Sequence, residues 1–359
     1  MKKLLFPLLF LFLICSCSKE SDDKKQNFLS DINFTFEDNI DKIELIYKFP
    51  PTVDKTKAFL VWSTTDKNID IINPVFPNAY FNLPESSEPK QVSITLLVSD
   101  GENSATTVKE IILPTLNDVR KKGLGRTLEE EKSNNVEYDW YFDQMITGVY
   151  SATNCGPSVA AMAVKWVYPD FSDTPEDARE FLQPTGGAMP LYLLLGYLSK
   201  NKVPHKSVYG VSDIQILKEI INDGNIAILG IRTYYISFQE NNKWHKGRFY
   251  SSLPNEEYGH FIIVKGYKVV DGVLYYEIYD PFSSQRSYNN GQLMGVDRYF
   301  QWNELRSAFM TFGNDMIVVS HTNTNYHISS TIFVETGINF TGLFSPEGIV
   351  SQWPYPVIL

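Results

Sequence analysis

Asn154-Cys155-Gly156-Pro157 places a thiol at the start of a segment that reads as a helix. That is a suitable position for a nucleophile, because a helix N-terminus favours the thiolate, the form that attacks. The other two cysteines, Cys15 and Cys17, lie at the apolar N-terminus and are not expected to pair with it. An exported protein with one unpaired thiol points to reactivity rather than to a disulfide staple. Taken alone, Cys155 reads equally well as a small buried hydrophobe.

A base is offered further along. Gly259-His260 opens the apolar run Phe261 to Tyr267, Asp271-Gly272 marks a turn, and Tyr275 to Tyr279 runs back to Asp280-Pro281. A histidine at one strand's start and a carboxylate at its neighbour's end approach each other in a hairpin, the arrangement in which Asp280 orients and charge-stabilises His260. A strict two-residue turn would set Ser283, not Asp280, across from His260, so a bulge or a longer loop is required. Read singly, His260 is a satisfied strand-end histidine and Asp280 a turn residue before Pro281.

The elements that must position these groups follow from periodicity. Gly156 to Val167 carries Val159, Met162, Ala163 and Trp166 at the spacing of one buried helical face, with Pro157 in its first turn. Asp173-Thr174-Pro175-Glu176 starts a second helix, and Ser212-Asp213 precedes a third over Ile214 to Ile221, stopped by Gly224. Ile226 to Ile231, Phe261 to Tyr267, Val273 to Tyr279 and Met316 to Ser320 read as strands. This is an α+β domain, with a helical first lobe, a stranded second lobe and a cleft between them.

Upstream, residues 28–115 have a different texture. Short β-rich runs such as Lys42 to Phe49, Ala58 to Ser63 and Gln91 to Val98 alternate with turn signals, as in an all-β sandwich, and the closing hairpin before Leu113 resembles that of an immunoglobulin-like module. Residues 116–137 hold Arg120-Lys121-Lys122-Gly123-Leu124-Gly125-Arg126 and Glu129-Glu130-Glu131, the character of an exposed charged linker open to proteolysis. Residues 138–321 form the chemistry-bearing domain and 322–359 a C-terminal extension of unassigned role.

The N-terminus sets the compartment. Lys2-Lys3 and the apolar run Leu4 to Ile14 match a secretory signal too short to span a bilayer. Ile14-Cys15-Ser16-Cys17 is lipobox-like, so residues 1–16 read as a lipoprotein signal peptide, Cys17 as the lipidated residue and 17–27 as a polar tether. The tether resembles that of surface lipoproteins of Bacteroidota. The expectation is an exported chain, lipid-anchored to the cell envelope through Cys17, at the outer membrane of a Gram-negative bacterium. With 359 residues, 43% hydrophobic and 14% aromatic, the chain can bury two cores. A net charge of −10 without a basic block argues against a nucleic-acid partner. The five histidines lack paired helical spacing and no P-loop is present, so no metal or other cofactor is expected.

In order and spacing, Gln144, Asn154-Cys155-Gly156-Pro157-Ser158, Gly259 to Tyr267 and Tyr279-Asp280-Pro281 resemble the bacteriocin-processing double-glycine peptidase-like family, a branch of the papain-like cysteine peptidases. The resemblance covers about Tyr138 to Ser320. It implies a papain-like cysteine peptidase domain acting on a peptide or protein, with Cys155 as nucleophile, His260 as general base and acid, Asp280 as orienter and Gln144 as the oxyanion-hole side chain. It also implies that Tyr299-Phe300-Gln301-Trp302-Asn303-Glu304-Leu305 belongs to a closing helix with a structural Trp302. The chain departs from leader-trimming members in having no apolar span after its signal and no transport ATPase motif, so double-glycine specificity is not implied. A catalytically silent surface binding module and a transglutaminase-like acyl transferase are the alternatives.

Overall fold

The computed structural model describes residues 32–51, 54–250 and 259–322. Cys17, the signal and tether, and the C-terminal extension beyond Thr322 lie outside the described residues. The chain divides into two compact units between Leu116 and Asn117. The architecture is mixed α/β with several sheets.

The described elements of the first unit are strands: β1 Phe34–Asp38, β2 Lys42–Tyr47, β3 Phe59–Thr64, β4 Asn78–Asn82, β5 Lys90–Ser99 and β6 Ser104–Leu113. They form two antiparallel sheets, ordered β1-β2-β4 and β3-β5-β6. Alternation explains the burial: in β2, Ile43, Leu45 and Tyr47 are buried while Lys42, Glu44 and Ile46 are half-exposed. The inward residues of both sheets share one core, in which the Phe34 ring meets Trp62 edge-on at 5.0 Å.

The second unit runs α1 Asp118–Lys121, β7 Leu128–Ser133, α2 Cys155–Val167, α3 Pro175–Leu182, α4 Leu191–Lys200, β8 His205–Val208, α5 Ile216–Asn222, β9 Ile226–Arg232, β10 Gly259–Val270, β11 Val273–Tyr279, β12 Arg298–Gln301, α6 Trp302–Met310 and β13 Met316–Val319. Its sheet is ordered β12-β11-β10-β9-β13-β8. One flank of β10 takes β11; the other takes β9 along Gly259 to Val264 and β7 along Gly266 to Val270. Val159 and Met162 of α2, Ala178 of α3 and Leu194 of α4 pack with Phe261 and Ile263 in one core. Leu217 of α5 and Phe309 of α6 pack with Ile262 and Val264 in another. The helices thus cover both faces of one sheet instead of forming a separate lobe. Double coverage is why Phe261 to Val264 is continuously apolar rather than alternating.

Two sequence expectations are corrected here. The charged stretch 116–137 is not an exposed linker. All six side chains of β7 are exposed, yet its backbone is paired to β10. Charge reports where side chains point and says nothing about backbone pairing. Val119 and Leu124 are buried with Val270, Tyr275 and Tyr299, and Asp271 accepts hydrogen bonds from the N–H groups of Arg126 at 2.7 Å and Thr127 at 2.9 Å. The basic run is therefore folded against β10 and β11, which removes it as an open processing site. Likewise Tyr299-Phe300-Gln301 is the end of β12, pairing with β11, and the closing helix starts only at Trp302.

The β10–β11 hairpin resolves the register question. Asp271 and Gly272 have φ of 48° and 75° and form a two-residue turn, with Val270 opposite Val273. A bulge then falls between Val264 and Gly266. Its extra residue, Lys265, has a fully buried ammonium that pairs with Glu277 and Asp297, each at 2.7 Å, and lies over the Tyr279 ring at 4.6 Å. The ladder ends at Ile263 opposite Tyr279, after which the chain leaves the sheet at Asp280.

Candidate active site

Cys155 opens α2, and the turn before it is held by side chains. Asn154 donates from Nδ2 to Thr147 O at 2.9 Å and Thr147 Oγ1 at 2.8 Å, and its Oδ1 accepts from Arg179 Nε at 2.7 Å. Gly156 is packed so closely that an added Cβ would lie 3.0 Å from Met189 Sδ. Cys155 itself is partly exposed, neither sealed in the core nor free in solvent.

His260 and Asp280 meet as the hairpin geometry requires. His260 Nε2 lies 2.7 Å from Asp280 Oδ1, and its ring is also close enough to Cys155 for the two to shift each other's ionisation. Asp280 is fully buried and accepts two more hydrogen bonds, at Oδ1 from Phe282 N at 2.9 Å and at Oδ2 from the Tyr250 hydroxyl at 3.0 Å. Its backbone is fixed as well: its N–H donates to Gly295 O at 2.9 Å, and its carbonyl accepts from Tyr141 Oη at 2.7 Å. Gly295 is required there, because a Cβ would come 2.0 Å from the Asp280 carbonyl oxygen.

These contacts set the charges. Burial pushes the Cys155 thiol up, but the hydrogen bond and charge of His260 and the N–H groups of Phe261 and Gly156 bring it below its ordinary 9.0. Burial pushes His260 down, but the Asp280 charge and hydrogen bond, with Cys155, raise it to about 10. Burial raises Asp280, and His260 with the Phe282 and Tyr250 donors more than offsets it, leaving the carboxyl below its usual range. The three groups favour a thiolate, an imidazolium and a carboxylate together.

Gln144 lies on a 3-10 turn before α2. Its backbone N–H donates to Pro281 O at 2.7 Å, beside Asp280, and its Nε2 donates to Ser151 O at 3.0 Å on the turn leading to Cys155. The side chain is buried and its Oε1 has no partner. An amide nitrogen carries two hydrogens, so one N–H remains beyond the bond to Ser151.

Three supporting groups escaped the sequence reading. Tyr250 comes from the long segment between β9 and β10, and its ring packs against His260 at 5.8 Å and Phe282 at 4.9 Å. Asp143 accepts from Met145, Ser284 and Gln285 N–H groups, tying the Gln144 turn to the left-handed pair that follows Asp280. Arg179 reaches the turn before Cys155 from α3. Only Asp143, adjacent to Gln144, had a neighbour that could have drawn attention to it.

No family model matches the chain, and no curated protein matches it. Among solved structures, one from Bacillus anthracis that is named a C39-like peptidase is similar with 15% identity and a TM-score of 0.34, over 54% of this chain and 98% of that one.

Proposed function

We propose that the second unit is a thiol-dependent amide hydrolase of the cysteine peptidase class, with a papain-like arrangement of its groups. The observation that carries this is the His260–Asp280 contact at 2.7 Å, beside the mutual influence of His260 and Cys155, which opens a helix. In the proposed cycle the Cys155 thiolate attacks an amide carbonyl. The oxyanion accepts hydrogen bonds from the Cys155 N–H and the remaining Gln144 N–H. His260 then gives its proton to the leaving amine, and afterwards takes one from the water that releases the acyl group. Asp280 keeps the imidazole oriented and charge-balanced throughout.

A mixed peptide library, read by mass spectrometry, tests the proposal. Cleavage by the wild type and its loss in Cys155→Ala is the expected result. Equal cleavage by both proteins, or none by either, would overturn it. The strand orders β1-β2-β4 and β3-β5-β6 support an immunoglobulin-like reading of the first unit, as a spacer or binding module. We further propose export and anchoring through a lipid on Cys17, supported by the lipobox-like sequence alone. Cys17→Ser should then move the protein from the membrane to the soluble fraction, and a membrane-bound variant would refute the anchor.

A further inference from the structure

We infer that Arg179 is a positioning residue for the nucleophile: it fixes the turn that carries Cys155 and supplies a second positive charge favouring its thiolate. The inference rests on reading Cys155 as the nucleophile. Arg179 is 3% exposed, a depth at which a guanidinium is costly unless acceptors or an opposite charge meet it. Its described acceptors are all neutral. Nε donates to Asn154 Oδ1 at 2.7 Å, Nη1 to Gly187 O at 2.9 Å, and Nη2 to Thr153 O and, at 3.4 Å, to Thr153 Oγ1. The acidic groups whose charge reaches it are Cys155 and Tyr150.

The fork also explains why an arginine is used. Its planar donors bind separated acceptors at fixed angles, which a lysine cannot do. Thr153 and Asn154 form the turn into α2. Gly187 belongs to a loop in which Gly186 and Gly187 take φ of 78° and 85°, and a Cβ on Gly186 would come 2.4 Å from the Tyr150 ring. Arg179 therefore joins that loop to the nucleophile turn. Among the described residues, the charged and titratable groups tied to Cys155 or to Arg179 are His260 of β10, with Asp280 behind it, and Tyr150 of the preceding turn. Glu176 of α3 packs beside Gly148, and Met189 and Leu194, on the α4 side, are apolar. His260 is the largest influence that lowers the thiol, and the Cys155 charge in turn raises Arg179.

The pH dependence of Cys155 alkylation by iodoacetamide, measured on the full chain alongside kcat on a cleaved peptide, tests this. Arg179→Gln, confirmed folded by near-UV circular dichroism, should move the acid limb of alkylation up by roughly one pH unit, about tenfold less thiolate below the limb. Arg179→Lys should hold the limb near its wild-type position while kcat falls, because the charge stays and the fork is lost. A limb unmoved in Arg179→Gln would overturn the inference. If that variant does not fold, Arg179→Lys decides: a held limb supports the charge role, and a limb raised by a full unit overturns it. A wild-type thiol that titrates in the ordinary range would instead refute the nucleophile reading itself.

Discussion

The two units bury different things. Among the described residues of the first, no Asp, Glu, Lys, Arg or His is buried, and Ser99 and the Tyr47 hydroxyl are polar groups in a largely apolar core. The second buries Asp143, Arg179, His260, Lys265, Glu277 and Asp280 beside two apolar cores. Removing a charge from water costs several kcal/mol, so charges are a poor way to gain stability alone. In the second unit each fixes a geometry: Lys265 pins the β10 bulge, Asp143 ties two turns, Arg179 holds the Cys155 turn and Asp280 orients His260. The first unit needs only an alternating pattern, whereas the second is built around a few atoms that must meet.

The largest expected effects belong to those atoms. Cys155→Ala and His260→Ala should each lower kcat/KM for a cleaved peptide by about 10⁴-fold or more, while the circular dichroism of both units stays as in the wild type. A variant that keeps a tenth of the activity would break the assignment. Lys265→Met comes next, since it leaves buried Glu277 and partly buried Asp297 without their cation. It should cost roughly 3–5 kcal/mol, and differential scanning calorimetry should show the loss only in the transition of the second unit. A shift in the first unit's transition, or in neither, would contradict the comparison. Tyr250→Phe is the mildest. It keeps the ring against His260 and removes only the donor to Asp280 Oδ2, so kcat should fall about tenfold with KM little changed. Steady-state kinetics showing a selective rise in KM would instead place Tyr250 in substrate binding.

What was legible in the sequence follows the same division. The strands of the first unit could be read because one face is buried and the other wet. Cys155, His260 and Asp280 stood out because each ends or begins an element. The bulge that settles the hairpin register had a faint sign, a lysine within Phe261 to Tyr267, but nothing in the sequence said that Glu277 and Asp297 would converge on it. The strand Leu128–Ser133 was hidden by its charges, because its contribution is backbone pairing. Tyr250 was hidden by lying in a long segment without periodicity, and Arg179 by occupying a helix whose Glu176, Asp177 and Glu180 read as a solvated face.

The central claim is the ion pair, and its signs are definite. With the thiol lowered, thiolate persists until pH falls through that depressed value. With His260 raised to about 10, imidazolium is lost only as pH rises through it. Activity should therefore plateau between an acid limb below the ordinary thiol value of 9.0 and an alkaline limb near 10. The most direct test is the rate of Cys155 alkylation by iodoacetamide across pH, in the wild type and in His260→Ala. The account predicts a wild-type rate that stays high well below pH 9, with the limb moving up when His260 is removed. A wild-type rate that falls as an ordinary thiol does, unchanged by His260→Ala, would contradict it.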